Sequence, residues 1–269
     1  MRAHLSSPKG RFTMKQPSIG IVTPSYNQRA FIRETIESVL GQGYSGVVYR
    51  VIDGGSTDGT LAVLRSYGSR VDWVSEPDEG QASAINKGMR GLSTDIVAFI
   101  NSDDAYLPGA LSTVAAYFAD HPDAVWLTGD HFLIDARGKR IRSYESAYKR
   151  MLRRRPTLAR LAMANYIVQP STFWRKTLLD EIGFFDESLR YCFDYDFWMR
   201  ALQRHPLHVV GRPLSLFRVH GASKGGSEFG RQFAEEHVVL KRYVSHKSTL
   251  ALHRIHASLI VFAYRLITR

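Results

Sequence analysis

Residues 99–111, FINSDDAYLPGAL, pass from apolar to acidic to apolar within one short stretch. The run from Ile96 to Ile100 predicts a buried strand, and Pro108 opens a predicted helix. Between them lie Asn101, Ser102, Asp103 and Asp104. Two adjacent carboxylates at the mouth of a buried strand repel each other, so they need open water or a cation. A strand that ends in polar groups and feeds a helix is the repeating unit of a parallel α/β sheet.

The same rhythm extends back toward the N-terminus. SIGIVTPSY (18–26) reads as a strand ending in a Pro-containing loop, and Ile32, Ile36, Val39 and Leu40 then recur at helical spacing. GVVYRVID (46–53) is a second predicted strand, followed by the turn GGSTDGT and a helix through Leu61, Leu64 and Tyr67. VDWVSE (71–76) and TDIVAFI (94–100) supply two more strands, with GQASAINKGMRGL between them as a helix. Beyond the helix at 108–118 the alternation fails. A strand pair is expected around 136–138, helices on both sides of Pro156 over 148–166, and a loop at QPSTFWR. A helix, a glycine stop and a second helix follow, then one or two strands in HPLHVVGRPLSLFRVH.

The chain has 269 residues, 44% of them hydrophobic and 12% aromatic, enough for one substantial core. One cysteine, Cys192, excludes an internal disulfide and a cysteine-built zinc site. The formal charge of +11 favours an anionic partner: nucleic acid, anionic lipid or a phosphorylated small molecule. MRAHLSSPKGRFTMKQP has no apolar h-region, so it does not read as a signal peptide. No stretch reaches the roughly 20 apolar residues of a membrane span.

Acidic groups follow successive strand ends: Asp53, then Glu76 and Asp78, then Asp103 and Asp104. Singly, each suits a turn or a helix cap; together they mark the crevice beyond the strands' carboxyl ends. A cluster of hard oxygens in a basic chain suits Mg²⁺ or Mn²⁺, with substrate phosphates completing the shell. DGGSTDGT has neither the Walker lysine nor a dinucleotide fingerprint. It reads as a tight turn with Thr57 or Asp58 as cap, leaving Asp53 available to a base or ribose.

TPSYN (23–27), VIDGGSTDGT (51–60), EPDEGQASAINKG (76–88), INSDD (100–104), QPSTFWR (169–175) and FDYDFWMR (193–200) occur in this order. Over residues 17–222 the chain resembles glycosyltransferase family 2, inverting enzymes of the GT-A fold that use nucleotide-diphospho-sugars. The resemblance implies a Rossmann-like, mostly parallel sheet flanked by helices over 17–222. A flexible tail over 1–16 precedes it and a C-terminal helical extension over 223–269 follows. It also implies that Pro24 and Tyr26 line the nucleoside pocket, with Asp53, Asn101 and Ser102 on the donor nucleotide. Asn101-Ser102-Asp103 stands at the family's DXD motif with Asn in place of the first Asp. Asp103 is then the metal ligand, Asp104 a second candidate, and His220 of FRVHGAS a late histidine near metal or diphosphate. Asp194 takes the place of the catalytic base, with Asp196 a competitor and Phe193 where the family carries Glu. Glu76, Asp78, Gln169 and Trp174 are the candidates for acceptor or sugar contact, whereas Trp198 is expected in the core.

The activity so implied is metal-dependent, inverting transfer of a sugar from a nucleotide-diphospho-sugar to a saccharide or lipid-linked acceptor, in bacterial surface polysaccharide assembly. A nucleotidyltransferase that makes the nucleotide sugar would carry a glycine-rich, basic N-terminal loop, which IVTPSYNQ lacks. A nonenzymatic nucleic-acid-binding protein has only net charge in its favour. The expected location is cytoplasmic, peripheral on the inner membrane. Leu252, Ile255, Leu259, Phe262 and Leu266 form one apolar stripe beside Arg254, Arg265 and Arg269, and Arg150, Arg153, Arg154 and Arg155 add a basic run. The competing reading packs the stripe on protein.

Overall fold

A computed structural model describes residues 16–141, 144–221, 229–255 and 258. All but Gln16 of the expected N-terminal tail lies outside these residues, as do Leu259, Phe262, Leu266, Arg265 and Arg269. The first half alternates strands and helices: β1 (Ile19–Ser25), α1 (Ile32–Leu40), β2 (Val47–Asp53), α2 (Thr60–Arg65), β3 (Asp72–Ser75), α3 (Gln81–Arg90) and β4 (Ile96–Phe99). These four strands pair in parallel in the order β3-β2-β1-β4. β1 is buried along its whole length, as expected of a parallel strand covered on both faces.

The second half builds onto β4. It comprises β5 (Ala105–Tyr106), α4 (Ala110–Asp120), β6 (Trp126–Ile134), β7 (Arg140–Ile141), α5 (Tyr144–Arg153), α6 (Leu158–Met163), β8 (Thr172–Arg175), α7 (Lys176–Ile182), α8 (Phe193–Arg204), β9 (His208–Arg218) and α9 (Phe229–Tyr243). The sheet continues β4-β8-β6-β9-β5, with β7 on β6; β8 is antiparallel to β4 and to β6. The segment QPSTFWR is therefore a turn plus a strand, not the loop expected. Pro170 and Ser171 start it, and Thr172, Phe173 and Trp174 are buried on both faces, so no polar alternation marks it. The late strand is a single eleven-residue element, β9, whose pairing with β6 shifts register around Pro213.

Strand side chains alternate between two cores. Val22, Val97, Phe99, Trp126 and Trp174 join α3 and α8 on one face. Ile21, Ala98, Leu127 and Phe173 join α1 and α4 on the other. Gly88 lets α3 lie close on the sheet, because a Cβ there would come 2.5 Å from Val22. Val239 and Leu240 of α9 are fully buried in the first core, and Tyr243 at its end and Val244 and Leu250 beyond it pack against that core. Among the described residues no helix is long and apolar enough to cross a membrane.

Candidate active site

The loops beyond β1, β2 and β4 are stitched into one edge. Asn27 takes a left-handed backbone (φ 52°), which Asn tolerates better than most residues. Its N–H donates to Ser56 Oγ at 2.7 Å, and its Oδ1 accepts the N–H of Thr57 at 2.9 Å. The N–H of Gln28 donates to Thr60 Oγ1 at 2.9 Å. Asp58, one of the two cap candidates, accepts the N–H of Thr60 and that of Arg29, both at 2.9 Å.

Along this edge opens a cleft of about 810 Å³. Pro24, Tyr26, Asp78, Asn101, Ser102, Asp103, Asp104, Gln169, Asp194 and His220 all line it. Tyr26 is 62% exposed, a large aromatic face left open to the cleft. Asp78 sits over Gly54 and accepts the N–H of Gly80 at 2.8 Å; burial, with the charge of Asp53 nearby, raises its pKa.

The NSDD turn is held from three sides. Asn101 Oδ1 accepts from Gln81 Nε2 at 2.6 Å, and its Nδ2 donates to Gln169 Oε1 at 3.2 Å. Gln169 Nε2 donates to the carbonyl of Phe99 at 2.8 Å. Beneath, the buried Arg218 gives its backbone N–H to Asp104 Oδ1 at 2.8 Å. Its Nε reaches the carbonyl of Asp103 at 2.7 Å, and Nη2 reaches Glu34 at 2.5 Å. Asp104 is thus turned inward, and burial, then the charge of Asp103, push its pKa well up. Asp103 faces the cleft instead, its Oδ2 3.0 Å from Nε2 of His220.

Asp194 lies in the first turn of α8 and accepts the N–H of Tyr195 at 2.7 Å. Burial pushes its pKa up to about 6, with the charge of Glu236 adding to the shift. Asp196 is committed elsewhere. It pairs with Arg200 at 2.9 Å and accepts from Tyr243 Oη at 2.6 Å, so it is structural and does not line the cleft.

Three candidates are not brought into the cleft. Asp53 is fully buried, and its carboxylate accepts the N–H groups of Gly55 (3.1 Å) and Ser56 (2.9 Å) and the hydroxyls of Ser56 (2.5 Å) and Ser75 (2.7 Å). It shapes the turn under the cleft, with Gly55 at φ +83°, and has no free face for a base or ribose. Glu76 pairs with Lys87 outside the lining. Trp174 is fully buried, 5.3 Å from Phe197 and 5.6 Å from Trp198, so it is core and not a sugar platform. Trp198 is core as expected. Conversely, Gln81, Arg218 and Gln232 line the cleft without having been singled out. Gln81 lies within EPDEGQASAINKG and Arg218 within FRVHGAS, whereas nothing in the sequence marks Gln232.

Among the described residues the lining holds Asp78, Glu79, Asp103, Glu187 and Asp194 against Arg190 and Arg218, with Asp104 turned beneath onto Arg218. In a basic chain this is a local reversal of charge, suited to a cation or to a substrate that arrives with one. Asp103 offers a hard carboxylate oxygen, which suits Mn²⁺ or Mg²⁺, and the imidazole of His220 beside it suits the softer Mn²⁺ better than Mg²⁺. Among the described residues no cluster of three or more His, Cys, Asp or Glu side chains could hold an ion unaided. Phosphate oxygens and water would have to complete the shell.

A half-parallel sheet with a polar cleft at its strand ends is the architecture of GT-A glycosyltransferases. The mannosyltransferase PcManGT from Pyrobaculum calidifontis, solved in complex with GDP-Man and Mn²⁺, superposes with a TM-score of 0.69 at 16% identity, over 94% of this chain and 76% of that one. The sequence model of Glycosyl transferase family 2 matches residues 20–183, and the chain belongs to that family. An uncharacterized glycosyltransferase of Rickettsia typhi is 29% identical over 209 residues, 77% of this chain and 65% of the relative's length. The putative teichuronic acid biosynthesis glycosyltransferase TuaG of Bacillus subtilis is 33% identical over 118 residues, 42% of this chain and 47% of that protein.

Proposed function

We propose that the chain is a metal-dependent, inverting glycosyltransferase. It moves a sugar from a nucleotide-diphospho-sugar to a saccharide or lipid-linked acceptor in bacterial surface polysaccharide assembly. The observation that carries this reading is a cleft that holds two differently used carboxylates. Asp194 is raised toward neutral pH, and Asp103 is paired with His220. The GDP-Man and Mn²⁺ in PcManGT and the teichuronic acid pathway of TuaG lend support to donor, cation and setting.

In this reading Asp194 accepts the proton of an acceptor hydroxyl as that oxygen bonds to the anomeric carbon. The bond from the anomeric carbon to the diphosphate oxygen breaks on the opposite face, which inverts the configuration. A carboxylate of pKa near 6 is a stronger base than an ordinary aspartate and still ionised at neutral pH. Tyr26 and Pro24 pack against the nucleoside, and Gln81 and Gln169 fix Asn101 so that the NSDD turn presents Asp103. Asp103 and His220 would hold a divalent cation, which when bound supplies Lewis-acid stabilisation of the departing diphosphate. Asp78, beside Gly54, is the lining carboxylate that takes over the donor-side role expected of Asp53.

A peripheral membrane location belongs to the same proposal. Leu252 and Ile255 are 47% and 58% exposed on the segment 247–255, beside Arg254. The deciding experiment is a thermal-shift panel of UDP- and GDP-sugars and their nucleoside diphosphates, with and without Mn²⁺. A ligand that binds only the folded state raises its stability. A cation-dependent rise with one donor family is expected, and no rise with any nucleotide would overturn the reading.

A further inference from the structure

We propose that Glu235, on the C-terminal helix α9, is a positioning residue that sets the wall of the cleft carrying Asp194. The inference rests on the reading of Asp194 as the base.

One carboxylate takes three consecutive backbone donors. Glu235 Oε1 accepts the N–H of Arg190 at 2.8 Å, and Oε2 accepts those of Tyr191 at 2.6 Å and Cys192 at 2.7 Å. These residues form the connection into α8, outside any helix or strand, so their N–H groups have no ladder to join. Bonds from N–H groups to an ionised acceptor are about twice as strong as neutral ones. Cys192 is the residue flanking the start of α8, two positions before Asp194. Fixing its backbone fixes where the first turn of α8 presents the base.

The same helix holds both flanks of this wall. Arg242 Nη1 pairs with Asp186 Oδ2 at 2.7 Å on one side, and Tyr243 Oη donates to Asp196 Oδ1 at 2.6 Å on the other. Near the middle, Cys192 Sγ donates to the carbonyl of Gln232 at 3.3 Å. Gln232 stands three residues before Glu235, on the same helix face, and itself lines the cleft. The C-terminal helix is therefore part of the site. Its anchors bracket the wall, and Glu235 fixes the stretch nearest the base.

Proton abstraction needs reacting atoms within about 3–3.5 Å, and a misplacement of about 1 Å can cost 10²-fold. The test follows nucleotide-sugar hydrolysis by the full chain, using the UDP- or GDP-sugar that stabilises it most. Glu235→Gln, Glu235→Ala and Asp194→Asn are measured in parallel. Glu235→Gln keeps the size but offers one acceptor oxygen in place of two. The expected result is a kcat lower by roughly 10–100-fold in both Glu235 variants, with the donor KM unchanged. Amide hydrogens of 190–192 should also exchange faster, with β1–β4 unaffected. A kcat within about twofold of the parent, or a matching rise in donor KM, overturns the inference when Asp194→Asn is inactive. If Asp194→Asn keeps its activity, the reading of the base falls instead. If Glu235→Ala does not fold, Glu235→Gln decides.

Discussion

Nε2 of His220 lies 3.0 Å from Oδ2 of Asp103, across 117 positions of sequence. The contact joins the end of β4 to the residues just after β9, and the phenyl ring of Phe31 lies 4.6 Å from the imidazole. The pair brings a carboxylate oxygen and an imidazole nitrogen to one place on the cleft wall. We expect Asp103→Ala to abolish the Mn²⁺-dependent part of nucleoside-diphosphate binding in calorimetry, with the far-UV spectrum intact. His220→Ala should weaken it less, by roughly tenfold or about 1.4 kcal/mol, because Asp103 and the diphosphate oxygens remain to hold the cation. Asp104→Asn should act mainly on stability, because Asp104 is turned toward Arg218.

Asp194 ties activity to pH and, with opposite sign, stability to pH. Its carboxyl must be ionised to act as base, so kcat should fall as pH drops below about 6, and Asp194→Asn should lose this limb with the activity. For stability the folded pKa of about 6 exceeds the ordinary 3.8, so the folded state binds more protons between these values. Stability is therefore lost as pH rises through that window and stays reduced above it. Asp194→Asn removes this cost. Its melting temperature should exceed the parent's at pH 7.5 and match it near pH 3. A variant no more stable at pH 7.5 would show that Asp194 is not held in an unfavourable environment.

The four parallel strands were legible because each is an apolar run followed by a helix-period segment. The NSDD turn was legible because two carboxylates at a buried strand end need a reason to be there. β8 was not legible. Its neighbours come from distant parts of the chain, and Pro170 and Ser171 give it the local signature of a loop. Nor does sequence tell whether a strand-end carboxylate faces the cleft or serves its own turn. Asp53 and Asp78 look alike in that respect. Gly54 and Gly55 let the chain fold back so that N–H groups of Gly55 and Ser56 reach Asp53, and Asp78 is left at the lining. Trp174 misled for a related reason: an aromatic residue in a motif looks the same whether it stacks on a sugar or on Phe197 and Trp198.

Asp53 therefore belongs to a stability experiment. Its carboxylate is buried and takes four hydrogen bonds, and an amide nitrogen in place of one oxygen turns an acceptor into a donor facing a donor. Asp53→Asn should cost about 3 kcal/mol in urea unfolding, because bonds to charged groups contribute about 1.5–3 kcal/mol each and one or more is lost. Nucleotide affinity, extrapolated to the fully folded fraction, should change little. A strong affinity loss at unchanged stability would return Asp53 to the donor site.

The last expectation concerns the surface around 247–255. Leu250 packs on the core and His253 is buried, whereas Leu252 and Ile255 face solvent with Arg254 beside them. One face of this segment is thus spent on the protein, and another remains for a different environment. An apolar face flanked by cations suits the interface of an anionic bilayer, where each Lys or Arg near the surface contributes about 1 kcal/mol. The double change Leu252→Glu with Ile255→Glu should leave the melting temperature within about 2 °C, since exposed substitutions usually stay within 0.5 kcal/mol. It should abolish co-sedimentation of the full chain with phosphatidylglycerol vesicles, and raised salt should weaken the parent's binding. If the parent does not sediment with such vesicles, or the double variant sediments equally well, the exposed pair does not serve a membrane.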